Sequence, residues 1–400
     1  MNILFICDEY PPGKNGGIGT MVQTLARELT RQGHHIYVAG LYSYRYGEAD
    51  YEEDGSVKVW RLRYGIKLPV SPESRLYGLR EKLPAFIQKK LRGGKAFVQF
   101  TRFIEKLVTS EHIDIIEMGD FNNFCSHIGF IVKWPAFKVP LVVKIHGSHS
   151  YFASEMHTTL ADRYKQTDRA LYERADAISA VSRYAASVTQ GLFEIKKNIR
   201  VLYNATMPCK KHTDDRLPYT VIFTGSLAHK KGIFQLMKAW NIVSAQIPEA
   251  RLVIYGKGKV QALQALLLPQ AMDTVIFKGH VSQQALTKAL SEATLGVFPS
   301  YSETFGLAVI EAMNTGCPVI YTKRSCGPEI VEDGVTGLLA DPDHVEDMAQ
   351  LILRLLKNPA ERKKIGSAGH EYVRAHFMAE DSAKQHIDFY TETIRNFQKA

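Results

Sequence analysis

Short runs of β-branched and other apolar residues at 3–7, 36–41, 57–62, 113–118, 141–145, 177–181 and 200–203 alternate with longer stretches whose apolar residues recur every three to four positions. A second series of short runs follows at 220–224, 252–255, 275–278, 295–298, 319–321 and 337–340. The runs have strand length and the stretches between them have helical period. Strand–helix alternation requires right-handed parallel crossovers, so the pattern predicts two doubly wound α/β domains. Between the two series lies a polar, strand-poor segment in which Pro208 and Pro218 bracket Lys210, Lys211, Asp214 and Asp215. The expected organisation is a first domain over 1–204, a linker over 205–218, a second domain over 219–378 and a terminal helix over 379–400. Return of that helix to the first domain is one option for packing it. Ligands of open α/β sheets bind beyond the carboxyl ends of the strands, so the loops after strands, and the cleft that two facing domains would make, are where chemistry is sought.

Composition narrows the picture by exclusion. With 45% hydrophobic and 23% charged residues among 400, the chain is neither disordered, collagen-like nor a disulfide scaffold. No apolar run approaches the roughly 18 residues of a membrane-spanning helix. The first apolar run ends at Asp8 and Glu9, where a secretory h-region would have to continue, so the expected location is the cytoplasm. Five cysteines (Cys7, Cys125, Cys209, Cys317, Cys326) lack metal-ligand spacing and read as small buried apolar residues.

Charge is unevenly spread. Residues 1–204 carry 28 Lys and Arg against 21 Asp and Glu, and the stretch 58–106 alone carries 13 against 3. Within that stretch Leu76, Tyr77, Leu79, Leu83, Phe86, Ile87, Leu91, Phe97, Phe100 and Phe103 interleave with the cations. Such a segment can lie on an anionic membrane, at the inner face of the plasma membrane, each cation adding about 1 kcal/mol. The alternative is a pair of ordinary amphipathic helices with a basic outer face. No nucleic-acid module accompanies the patch, so nucleic acid is not expected as a partner.

The densest chemistry follows the run 295–298: Pro299-Ser300-Tyr301-Ser302-Glu303-Thr304-Phe305-Gly306-Leu307-Ala308-Val309-Ile310-Glu311. A helix starting near Phe305 or Gly306 would aim the N–H groups of Thr304, Phe305, Gly306 and Leu307 beyond the strand ends. Unpaired donors and about half a positive charge at a helix N-terminus suit a phosphate. Glu303 and Glu311 flank that point, and each can accept hydrogen bonds from a vicinal diol. Two glutamates at this spacing also occur as a helix-start acid and a solvated helix residue.

With Phe305-Gly306 between them and Glu311-Ala312-Met313-x-x-Gly316-x-Pro318-Val319-Ile320 behind, these glutamates resemble the E-x7-E motif of retaining GT-B glycosyltransferases of family 4. Pro11-Pro12, Gly16-Gly17-Ile18-Gly19, His146-Gly147, Gly225 to Gly232 and Gly334-Val335-Thr336-Gly337 extend the resemblance over both halves. It implies a GT-B fold of two facing Rossmann-like domains. It also implies that Glu303 holds hydroxyls of a donor sugar and Glu311 the ribose hydroxyls of its nucleotide. The backbone of Thr304, Phe305, Gly306 and Leu307 would serve the diphosphate, Gly16 and Gly17 would bring first-domain backbone to the distal phosphate, and His146 would touch the sugar near the reacting carbon. Gly225, Ser226 and Lys231 would meet the leaving diphosphate, and backbone around Gly256 and Val281 the base.

One position departs from the family. Where a Gly-Arg pair is usual, the chain has Gly225-Ser226, and a cation about 4 Å from a phosphate is worth about 4 kcal/mol at an effective dielectric of 20. Lys230, His229 and Arg324 are the candidates to compensate; otherwise leaving-group stabilisation is weaker. Asp341-Pro342-Asp343 matches a metal-binding D-x-D but opens a helix, where Asp caps, and is read as structural with no essential metal. A dinucleotide fingerprint does not fit, because Asp8 to Asn15 separate the first strand from Gly16 and no acid ends the second strand.

The expected activity is transfer of a hexose-type sugar from a nucleotide-diphosphate donor to a glycan or lipid-linked acceptor, giving an α-linked product in polysaccharide or glycoconjugate synthesis. The resemblance favours front-face attack, with the departing phosphate taking the acceptor proton. Asp120, Asn122 and Asn123, after the run 113–118, are candidates to meet the acceptor, with capping and turn roles as the alternative. A catalytically weak sugar-nucleotide-binding protein, or a phosphorylase or epimerase on the same fold, are the rival functions.

Overall fold

The structure is a computed structural model that describes residues 1–12, 16–43, 46, 48–64, 85–209 and 216–399, with backbone alone at 85–92 and 127. The chain divides into two compact units: Met1–Val181 with Ala186–Leu202 and Ser382–Ala400, and Ser182–Ala185 with Tyr203–Asp381.

The first unit is built on β1 (Asn2–Ile6), β2 (His35–Ser43), β3 (Tyr51–Asp54), β4 (Val57–Tyr64), β5 (Ile115–Gly119), β6 (Leu141–Ile145), β7 (Ala177–Ala180) and β8 (Ile199–Val201). Their order is β3-β4-β2-β1-β5-β6-β7-β8, and every neighbouring pair is parallel except β3 with β4. β3 escaped the sequence pattern because Tyr-Glu-Glu-Asp has no apolar alternation; it is a charged strand at the sheet edge, where exposure is tolerated. The helix Gly17–Arg31 buries Met21, Val22, Leu25, Ala26 and Leu29 along one stripe, the 3.6-residue period expected of a helix covering a sheet.

The second unit is built on β9 (Leu217–Thr224), β10 (Arg251–Tyr255), β11 (Val275–Gly279), β12 (Ala293–Phe298), β13 (Val319–Thr322) and β14 (Leu338–Ala340). All pairs are parallel, in the order β11-β10-β9-β12-β13-β14. Its core centres on buried Phe223, Trp240, Ile254, Leu295 and Ile320, with the Trp240 indole donating to Thr274 Oγ1 at 2.8 Å. Chain order reverses between β1 and β5 in the first sheet and between β9 and β12 in the second. These switch points open a crevice at the strands' carboxyl ends.

One expectation needs correction, and another falls largely outside the described residues. Leu217 and Pro218, placed in the linker, open β9; residues 210–215 of that linker lie outside the described residues. Within the basic stretch the described residues hold one helix, Ala85–Ser110; the rest of the expected pair, with Leu76, Tyr77, Leu79 and Leu83, lies outside the described residues, as do the side chains of Phe86, Ile87 and Leu91. Phe97, Phe100 and Phe103 pack on Trp134, Phe124 and Trp60 at 5.1, 5.7 and 6.1 Å between ring centres, while Lys95, Arg102 and Lys106 are exposed. Among the described residues no helix is long and apolar enough to cross a membrane.

The chain after 343 is helical as expected: Val345–Lys357, Pro359–His376 and Ala379–Phe397. Within the first unit, the last helix is anchored by buried polar groups. Lys144 Nζ lies 2.9 Å from His386 Nε2, and the Tyr390 hydroxyl donates to Glu117 Oε2 at 2.7 Å. His386 Nδ1 sits 2.6 Å from the Ser382 carbonyl and must donate to it, which leaves Nε2 to accept from the Lys144 ammonium. All five cysteines are free, and only Cys209 is not fully buried.

Candidate active site

In the second unit the loops after β9 and β12 meet at the switch point. Gly225 ends β9 with φ +152°, and its carbonyl leaves no room for a Cβ on Gly256, which ends β10 with φ +147°. Gly225 N–H donates to the Tyr255 carbonyl at 3.0 Å and Gly256 N–H to that of Gly279 at 2.8 Å, so three strand ends crowd together backbone to backbone. The chain then makes a single 3-10 turn, His229–Lys231, closed by Gly232 at φ +67°. A Cβ on Gly232 would stand 1.8 Å from the Pro299 carbonyl oxygen, so glycine is what lets the two loops touch.

That contact brings Lys231 to Glu303, 72 residues away, in an ion pair that is three-quarters buried on the lysine side. The Glu303 amide donates to Ser325 Oγ at 3.3 Å, and Glu303 Oε1 accepts from the Thr304 amide at 3.3 Å. The helix begins at Leu307, later than the sequence places it, because Gly306 adopts φ +88° as its N-cap and Phe305 packs its ring on Phe377 at 5.5 Å. No side chain caps this helix end. Its first-turn amides thus lie uncapped near the Lys231–Glu303 ion pair.

Glu311 lies on the same helix. Burial lifts its carboxyl to about 7, and the Gln283 amide, donating at 2.9 Å to Oε1, opposes the rise. Gln283 starts the helix that follows Gly279, His280 and half-buried Val281, and was not singled out by the sequence. Ser226 is exposed at the mouth of the loop after β9.

The candidate substitutes for the missing arginine are placed differently from one another. Arg324 pairs with Asp341 at 2.8 Å and Asp343 at 2.5 Å, so its charge is already neutralised. This also settles Asp341 and Asp343 as partners of Arg324, with Lys323 on Asp341 at 3.3 Å. Lys230 is half-buried, and burial together with Lys231 lowers its ammonium. His229 is exposed and stacks on Tyr301.

The first unit furnishes its switch point with acids. Glu9, in the loop after β1, accepts from the Gly19 amide at 3.2 Å. Its carboxyl also lies where a Cβ on Gly16 would stand, at 2.6 Å. Burial, then Asp8, raises it to about 7. The anion at the N-terminus of the helix opened by Gly17 is therefore the chain's own Glu9. The sequence carried the signal, an acid just before a glycine loop, but Asp8 and Glu9 registered there only as the end of an apolar run.

Asp120, expected to face an acceptor, turns inward. Its Oδ1 accepts from the His146 amide at 2.7 Å and its Oδ2 from the Tyr172 hydroxyl at 2.8 Å, and burial raises it to about 7. Asn122 folds back to the carbonyls of Gly119 and Asp120 and accepts from the Phe124 amide, the turn role. Asn123 bonds Asp8 through its amide at 3.2 Å. His146 is buried beside Gly119, where a Cβ would stand 3.3 Å from its ring. Burial and the Lys144 charge hold its imidazole well below the usual histidine range, hence neutral at pH 7.

Family models match both units. A model described as "Glycosyltransferase Family 4" matches residues 15–206, and one described as "Glycosyl transferases group 1" matches residues 210–372. The chain belongs to the family 4 glycosyltransferases and has their GT-B fold. Among curated relatives, an uncharacterized glycosyltransferase of Methanocaldococcus jannaschii is 24% identical over 98% of both chains. Among solved structures, a sucrose-phosphate synthase of Thermosynechococcus elongatus aligns over 99% of both chains with TM-score 0.78 and 22% identity. The HepE protein of Anabaena, solved with UDP-glucose, aligns over 99% of this chain and 100% of that one with TM-score 0.67 and 18% identity.

Proposed function

We propose that this glycosyltransferase takes a hexose-type sugar from a nucleotide-diphosphate donor and transfers it with retention to a glycan or lipid-linked acceptor. The observation that carries the reading is the Lys231–Glu303 pair beside an uncapped helix N-terminus at the switch point of the second sheet. UDP-glucose in the HepE structure supports the donor class. Lys231 and the amides of Gly306, Leu307 and Ala308 bind the diphosphate, Glu303 the sugar hydroxyls and Glu311 the ribose diol. The bond from the anomeric carbon to the phosphate oxygen breaks, and the acceptor oxygen bonds that carbon on the same face. The acceptor proton passes to the departing phosphate, whose growing charge the fixed donors stabilise. His146, neutral, donates an N–H to a sugar hydroxyl.

The scheme assigns no role to a metal, and the two acids of the Asp341-Pro342-Asp343 sequence hold Arg324 and Lys323. The exposed cations Lys95, Arg102 and Lys106 suit a peripheral contact with anionic membrane.

The deciding experiment is a thermal-shift panel of UDP, GDP and ADP, followed by turnover of the matching donor sugars with the product anomer read by NMR. One nucleoside diphosphate is expected to stabilise the protein, the product to be α-linked, and EDTA to leave turnover unchanged. A β-linked product would overturn retention.

A further inference from the structure

Tyr301 lies two residues before Glu303 and outside the apolar core, yet it gathers contacts from three other loops. The His229 imidazole, from the loop after β9, stacks on its ring with centroids 5.0 Å apart and planes 11° from parallel. The Arg324 guanidinium, from the loop after β13, lies 5.3 Å from the ring centre. The Tyr301 hydroxyl donates to Asp343 Oδ1 at 2.6 Å, after β14, and Arg324 bonds the other oxygen of that carboxylate at 2.5 Å.

The backbone of Tyr301 completes the connection. Its amide donates to the Lys230 carbonyl at 2.8 Å, next to Lys231. Its carbonyl accepts from Ser325 Oγ at 3.3 Å, and Ser325 Oγ accepts in turn from the Glu303 amide at 3.3 Å. Ser325 takes φ +51°, a region that non-glycine residues avoid unless the surroundings impose it. Arg324 thus gives up its charge to Asp341 and Asp343, and what remains for it to do is hold the tyrosine.

We propose that Tyr301, clamped by Arg324 and Asp343, is the positioning residue that fixes Lys231 and Glu303 in mutual register for the donor diphosphate. The inference rests on the donor-site reading above. A lysine side chain is flexible, and a charged group whose backbone is held before the ligand arrives loses less freedom on binding. The Lys230 carbonyl and Glu303 amide are the two backbone points that Tyr301 holds, one directly and one through Ser325.

The test is titration of the full-length protein with UDP, GDP and ADP, continuing with the tightest, alongside unfolding temperatures. Tyr301→Ala is expected to weaken binding about tenfold or more. Tyr301→Phe, which keeps the ring between its neighbours, is expected to stay within about threefold of wild type. If positioning acts through Lys231, the double variant Tyr301→Ala/Lys231→Ala binds no more weakly than Lys231→Ala alone. Full additivity of the two changes, or wild-type binding by Tyr301→Ala, overturns the inference. Should Tyr301→Ala not fold, Arg324→Gln loosens the same clamp and is expected to weaken binding about threefold; wild-type binding there overturns it equally. If wild type binds none of the three nucleotides, or Lys231→Ala binds as wild type does, the donor reading falls and this inference with it. A response at Lys231 without one at Tyr301 or Arg324 removes the inference alone.

Discussion

The two units share one topology at their switch points but treat the helix N-terminus there differently. In the first, the helix Gly17–Arg31 has its N-terminal amides met by Glu9, with Asp8 close by in the loop after β1. In the second, no side chain caps the helix Leu307–Asn314, and the neighbouring charged groups are Lys231 and Glu303, paired with each other. The helix amides are thus met by an internal carboxylate in one unit and left without a side-chain cap in the other. Topology supplies the place, and a few loop residues decide whether it attracts an anion.

The largest effect expected is on the backbone crossings that make each crevice. Gly232→Ala sets a Cβ 1.8 Å from the Pro299 carbonyl at a positive φ, and Gly19→Ala sets one 1.9 Å from the Glu9 carbonyl at an ordinary helical φ. Both should lower stability by about 2–5 kcal/mol in denaturant titrations, with Gly232→Ala the worse because strain adds to the clash. Equal values would deny the strain contribution.

Next in size, Lys231→Ala should cut turnover about a hundredfold with the unfolding temperature little changed, as removal of a fixed donor to a developing charge does elsewhere. Full activity in a folded Lys231→Ala would erase the contrast between the units.

Smaller effects concern pH. A ribose diol donating to Glu311 favours its ionised form, so a carboxyl held near 7 must lose its proton for binding to occur below that pH. Nucleotide affinity should therefore fall up to about tenfold per unit below pH 7, beyond any fall that remains in Glu311→Gln. In the first unit, Glu9 is raised from an ordinary 4.5 to about 7. Between those values the unfolded chain has released a proton that the native state keeps, so stability should decline as pH rises, by about 1 kcal/mol per unit. Glu9→Gln should flatten that slope in thermal melts; an unchanged slope would mean that Glu9 is not the group responsible.

Much of the fold was legible beforehand because strand and helix periods are local. The thirteen predicted strands lie on thirteen of the fourteen among the described residues, and the exception, β3, is charged and antiparallel. The site was legible where a motif is contiguous, as with Glu303, Gly306 and Glu311. It was misread where a side chain could turn either way: Asp120 points inward to His146 and Tyr172, and Arg324 to two aspartates. Residue type fixes what a group can do but not which neighbour it meets.

By itself the sequence determined the two alternating α/β series, the glycines that allow close backbone passage and the two glutamates that flank the helix start after β12. Each follows from the spacing or size of residues near one another in the chain. Tertiary structure alone decided that Lys231 pairs with Glu303 across 72 residues, that Tyr301 meets Arg324 and Asp343, and that Tyr390 reaches Glu117 across 273. Those partners depend on strand order and on which loops become neighbours, and that order is set by the packing of each sheet as a whole.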